Sequence, residues 1–126
     1  MESIEKKEES DREIPLSELY SYTHYLYGEA FLGSHQGMRF RLSREPLENV
    51  TFRKKEEWAK DARFLLYIWP EPFSFEKTAD DDKQSFTFPF TEEGLIEAVE
   101  CLNREFGNSR DRWRAAKEKR WAKEGL

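Results

Sequence analysis

The chain contains a single cysteine, Cys101. No internal disulfide can form, so the fold does not depend on an oxidising compartment. No apolar run approaches the roughly 20 residues that span a bilayer. The stretch Met1-Glu2-Ser3-Ile4-Glu5-Lys6-Lys7-Glu8-Glu9 lacks the apolar region of a secretory signal. A cytoplasmic protein without membrane association is expected. Histidine is as scarce as methionine, with only His24 and His35 present. Even with Glu29 between them they fall short of a recognisable ligand set, and neither HExxH nor CxxC occurs. No metal and no cofactor are expected. The glycine-rich stretch Gly28–Gly37 lacks both the lysine of a phosphate loop and the spacing of a dinucleotide fingerprint. Nucleophile, base and anion hole cannot be assembled from any motif, so a non-catalytic protein is the first expectation. A small enzyme using His24 or His35 beside the glycine loop ranks last.

Charge and aromatic rings are abundant. Charged residues equal hydrophobic ones at 37% each, a share that alone suggests disorder. The 10 Phe, 5 Tyr and 4 Trp argue against it, because disordered chains are poor in the rings that bury most apolar area. A ring-rich core in a charged shell follows, and 126 residues suit one domain. The net charge of -5 argues against a protein that coats DNA with its whole surface. The charge is unevenly spread. Residues 1–13 hold six acids against three bases, and residues 110–126 hold seven bases against three acids.

Residues 1–13 read as a flexible acidic tail with nothing to bury. The segment from Leu16 to Tyr27 fits a helix or a strand, and its Tyr and Thr content favours strand or extended structure. Met38, Phe40 and Leu42 alternate with Arg39 and Arg41, as in a strand with one wet face. Residues 46–61 form a charged connection with Phe52 and Trp58 as anchors and a short helix around Glu56–Asp61. The run from Arg63 to Trp69 reads as a central strand stopped at Pro70. Phe73–Lys77 alternates again, Ala79–Lys83 is a turn, and Ser85–Phe90 sets Phe86, Phe88 and Phe90 on one face. Pro89 places this last strand at an edge or ends it there. Thr91 suits a helix N-cap, with Glu92 and Glu93 in the first turn. Leu95, Val99, Leu102 and Phe106 recur at helical spacing before Gly107-Asn108. A charged helix follows at 109–123. Strands first and helices after imply an α+β fold: an antiparallel sheet of about four strands with a C-terminal helix pair on one face. The expected divisions are the tail 1–13, a domain 14–107 and a basic helix 108–126.

Two constellations stand out as candidate sites. His35, Arg39 and Arg41 follow the glycine loop, whose backbone amides suit an anion; the competing reading is a hairpin loop that needs positive φ. Arg110, Trp113, Arg114, Lys117 and Trp121 lie on one side of the last helix. Bases beside rings hold single-stranded nucleic acid by charge and stacking, or an acidic partner. The competing reading docks both tryptophans on the domain and leaves the charges in water. Cys101, beside the apolar stripe, reads as a small buried residue.

Tyr27–Phe40 with Arg44-Glu45-Pro46-Leu47-Glu48-Asn49, and Trp69–Phe73 with Phe88–Leu95, resemble small proteins carried by bacterial integrative and conjugative elements. The likeness spans roughly residues 20–106. It implies a bacterial accessory protein with a role near DNA transfer or host defence, and it carries over no functional residue. The leading expectation is a protein-interaction or regulatory module with an unknown protein partner. A nucleic-acid accessory protein is the alternative, and a homodimer stays open.

Overall fold

The computed structural model describes residues 13–47, 54–57, 59 and 61–124, the side chains of residue 55 and of 119–124 excepted. Residues 1–12 of the expected flexible tail, and Phe52 and Trp58 in the charged connection, lie outside the described residues. The elements are α1 (Tyr22–Leu26), β1 (Phe31–His35), β2 (Met38–Glu45), β3 (Arg63–Pro70), β4 (Gln84–Pro89), α2 (Glu92–Asn108) and α3 (Arg110–Glu124), with short 3-10 turns between them. The four strands form one antiparallel sheet in the order β1-β2-β3-β4. The α+β class follows from sequence order, since each strand neighbours the next and the two long helices α2 and α3 come after the sheet.

Alternation sets the inner face. Phe40 pairs with Ile68, and Leu42 pairs with Leu66, which in turn opposes Phe86 on β4. These rows are buried under Leu95, Ala98, Val99, Cys101, Leu102 and Phe106 of α2. Thr91 caps that helix, its side chain accepting from the Gly94 N–H at 2.9 Å. Gly94 is required there, because a Cβ would stand 1.8 Å from the Pro89 carbonyl oxygen. β4 is an edge strand and ends at Pro89, as a residue without an N–H donor allows.

Two local expectations are corrected. The stretch 16–27 is a 3-10 turn over Leu16–Glu18 followed by the short helix α1, not a strand. Its rings decide this. Tyr25 is fully buried edge-on against Phe64 at 5.3 Å, and Tyr22 lies against Phe90 at 4.9 Å, contacts that a helical turn delivers three residues apart. The alternating Phe73–Lys77 stretch is a turn rather than a strand, closed by Thr78, whose N–H and hydroxyl both donate to the Ser74 carbonyl. It folds Phe75 over the outer face of the sheet, onto Tyr67 at 4.9 Å and Trp69 at 5.5 Å. The fourth strand is instead β1, inside the glycine segment.

Polar clamps tie the ends to this frame. The Asn103 amide accepts from the Ile14 N–H at 2.7 Å and donates to the Ile14 carbonyl at 3.0 Å. Arg44 is fully buried and donates to the carbonyls of Pro46 and Leu26, with its guanidinium over the Phe90 ring. No helix among the described residues is long and apolar enough to cross a membrane.

Candidate functional site

The β1–β2 hairpin closes through Gln36 and Gly37, whose φ angles are 48° and 96°. Two consecutive positive values are what a two-residue turn between right-twisted strands requires. Gly37 does more than turn the chain. A Cβ on it would lie 1.9 Å from the Trp113 carbonyl oxygen, so glycine alone lets the hairpin tip press against the α3 backbone. Gln36 reaches across, its amide oxygen accepting from the Lys117 ammonium at 2.5 Å. The His35 ring packs edge-on against Phe106 at 4.6 Å, and the Arg110 guanidinium lies 5.7 Å from the same ring.

The result is a notch of about 90 Å³ lined by Gln36, Phe106, Arg110, Arg114 and Lys117. Arg110, Arg114 and Lys117 recur at i, i+4 and i+7, so they share one helical face. Lys117 also borders a second opening, where the buried Glu71 lines the wall and lies 4.0 Å from the Arg39 guanidinium.

The two constellations named from sequence are thus partly joined and partly split. The structure sets His35 against Phe106, a wall of the notch, and beside Lys117 in the second opening, but His35 does not itself line the notch with Arg110 and Arg114. It separates His35 from Arg39 and Arg41, because adjacent positions along β1 and β2 point to opposite faces. Arg39 donates to the Phe73 carbonyl at 3.4 Å, and Arg41 donates to the Ser43 hydroxyl at 3.0 Å beneath Phe75. A His35–Arg39–Arg41 anion set therefore does not converge. Trp113 is corrected as a stacking ring: it is 0% exposed, and its indole N–H donates to the Glu105 carbonyl at 3.2 Å. The side chain of Trp121 lies outside the described residues. Gln36 and Phe106 were missing from the sequence reading as walls of the notch. The Gln-Gly pair between two strands was the available signal.

A second concavity lies at the other end of α2. It measures about 480 Å³ and is walled by Leu16, Leu19, Tyr20, Tyr22, Leu95 and Ile96. Leu16 is 43% exposed and Ile96 46%, high values for large aliphatic side chains that wall one concavity. Its surroundings are acidic. Glu92 lines it, exposed Glu18 falls in sequence between the lining residues Ser17 and Leu19, and exposed Glu93, Glu97 and Glu100 neighbour Ile96 along α2. Arg104 is the first basic residue of that helix. The Tyr22 hydroxyl donates to the Phe90 carbonyl at 3.3 Å, and burial holds its pKa above the ordinary value despite the opposing charge of Arg44.

The groups with reactive chemistry lie elsewhere. Cys101 is fully buried, and that burial raises its thiol pKa, which disfavours the nucleophilic thiolate. His24 pairs with Glu29 at 2.6 Å on the surface. Among the described residues no group of three His, Cys, Asp or Glu side chains is placed to hold a metal ion.

Compared with protein-family models, with curated proteins and with solved structures, the chain finds no match.

Proposed function

We propose that the protein is a non-catalytic interaction module that captures a basic amphipathic helix of a protein partner in the groove between residues 16–22 and α2. The observation that carries this reading is that exposed Leu16 and Ile96 wall one concavity with Glu92, and Glu18, Glu93, Glu97 and Glu100 neighbour its lining residues in the sequence. An apolar groove takes the i, i+3, i+4 anchors of a helix, and its charged rim selects the sign of the flanking residues. A contiguous apolar concavity with a polar rim marks an interaction surface. The resemblance to integrative-element proteins extends the proposal to a bacterial accessory protein working in the cytoplasm. The nucleic-acid alternative rests on the α3 cations without an exposed Trp113 beside them.

A fluorescein-labelled Leu/Lys amphipathic helical peptide tests the reading by anisotropy. It should bind with a dissociation constant of about 10–100 μM. A Leu/Glu peptide of the same pattern should bind far more weakly. The pair Leu16→Ser and Ile96→Ser should abolish binding without lowering the melting temperature, since both side chains are already half exposed. Equal binding of the two peptides, or an unchanged affinity in the double variant, refutes the groove. Sedimentation velocity covers a second copy as the occupant: a dimer lost in the same double variant would replace the partner helix with this chain itself.

A further inference from the structure

The notch between the hairpin and α3 is independent of that groove and has the opposite sign. Three cations from two turns of one helix converge on a space of about 90 Å³, and no carboxylate is among the residues that line it. Arg110 and Arg114 form a like-charge i, i+4 pair, and Arg114 with Lys117 a like-charge i, i+3 pair. Asp111 and Glu118 flank Arg114 on the same helix but are not among the residues that line the notch. The hairpin completes the notch at a conformational cost. Gln36 adopts a φ of 48°, which a residue with a Cβ rarely takes, and its side chain orients the Lys117 ammonium. Phe106 and Arg110 close the other wall by ring and guanidinium contact.

We infer that this notch binds the terminal phosphate of a small phosphomonoester. Size and charge both favour it. Water occupies about 30 Å³ per molecule in the liquid, so the space suits one tetrahedral oxyanion rather than a nucleoside. A monoester is close to a dianion above its second pKa of about 6. The two guanidinium forks offer paired donors to its oxygens, and Lys117 adds a point charge. A nucleic-acid strand is the less favoured ligand. Its phosphodiesters carry one charge each, and the rings that would hold its bases, Trp113 and Phe106, are buried.

Amide chemical-shift titration of the full chain with inorganic phosphate tests the inference. Saturable shifts should centre on Gln36, Gly37, Arg110, Arg114 and Lys117, with a dissociation constant of about 1 mM. Acetate at matched ionic strength should not reproduce them. The double variant Arg110→Gln, Arg114→Gln should weaken phosphate about tenfold or more while leaving its melting temperature and Leu/Lys peptide binding unchanged. Absence of saturable shifts, equal shifts with acetate, or full affinity in the double variant would overturn the phosphate site. So would tighter, steeply salt-dependent binding of an oligothymidylate lacking a terminal phosphate, which would assign the same cations to a nucleic-acid strand.

Discussion

Replacing Trp113 by alanine separates a docking role for this ring from a stacking one. The side chain is fully buried in the same cluster as Met38, Leu102 and Phe106. Removing a buried Trp side chain costs about 3–5 kcal/mol through lost transfer energy and the cavity left behind. The indole N–H bond to the Glu105 carbonyl adds about 1 kcal/mol. That carbonyl keeps a second donor, the Ser109 N–H at 3.2 Å, so no orphan penalty is added. The sum is roughly 4–6 kcal/mol, a large part of the roughly 5–15 kcal/mol that holds a domain folded. With a urea slope of about 2 kcal/mol/M, the midpoint should drop by about 2–3 M in an unfolding curve followed by far-ultraviolet circular dichroism. Trp113→Phe keeps most of the packing and should lose only about 1–2 kcal/mol. A loss below about 1 kcal/mol for the alanine variant would refute the docking argument and return the ring to a surface role.

Two further outcomes follow from the same contacts. Gly37→Ala places a methyl group 1.9 Å from the Trp113 carbonyl oxygen at a φ of 96°, so the hairpin must lift off α3. The variant should lose at least about 2 kcal/mol in a thermal melt, and an unchanged melting temperature would show that the tip does not touch the helix. The protein should also weaken in alkali. Burial raises the Cys101 thiol above its ordinary 9.0, and the Tyr22 and Tyr25 phenols above 10.0. The unfolded chain then releases these protons first. Stability is full below about pH 9 and declines as pH rises past each ordinary value. Denaturant midpoints that stay level through pH 10 would show that these groups reach solvent in the fold.

How far the sequence reveals this fold depends on where each signal resides. The α2 stripe was legible to the residue, because Leu95, Val99, Leu102 and Phe106 face one sheet and nothing competes for them. The β2 alternation was legible for the same reason. The segment 16–27 was not, since Tyr is enriched in strands and only the Phe64 and Phe90 rings, distant in sequence, select the helical turn. Phe73–Lys77 misled in the opposite direction. Its period-two pattern is that of a strand, yet Phe75 serves as a lid on Tyr67 and Trp69. The candidate sites were half legible. Helical spacing alone groups Arg110, Arg114 and Lys117, and local composition alone marks the glycine loop as a turn. Their meeting depends on a missing Cβ at Gly37 facing a carbonyl 76 positions later, a relation no local pattern encodes.

Charge segregation along the chain becomes charge segregation in space. The acidic residues that matter for the groove lie on α2 before Arg104 and in the segment that leads to α1; the bases of the notch lie on α3. A single polar helix with mixed signs would neutralise itself through i, i+4 pairs. Here the break at Ser109 ends one helix and begins another, and Glu92–Asn108 carries five acids against one base while Arg110–Glu124 carries seven bases against three acids. Two surfaces of opposite charge on so small a protein can hold two ligands at once, and one protein that binds a basic helix and a phosphate can couple them. Gln36 and Lys117 already join the hairpin to α3, and α2 is the element that borders both the notch and the groove, through Phe106 and Ile96. Peptide affinity measured with and without saturating phosphate reads that coupling directly, because linkage requires each ligand to change the affinity of the other by the same factor.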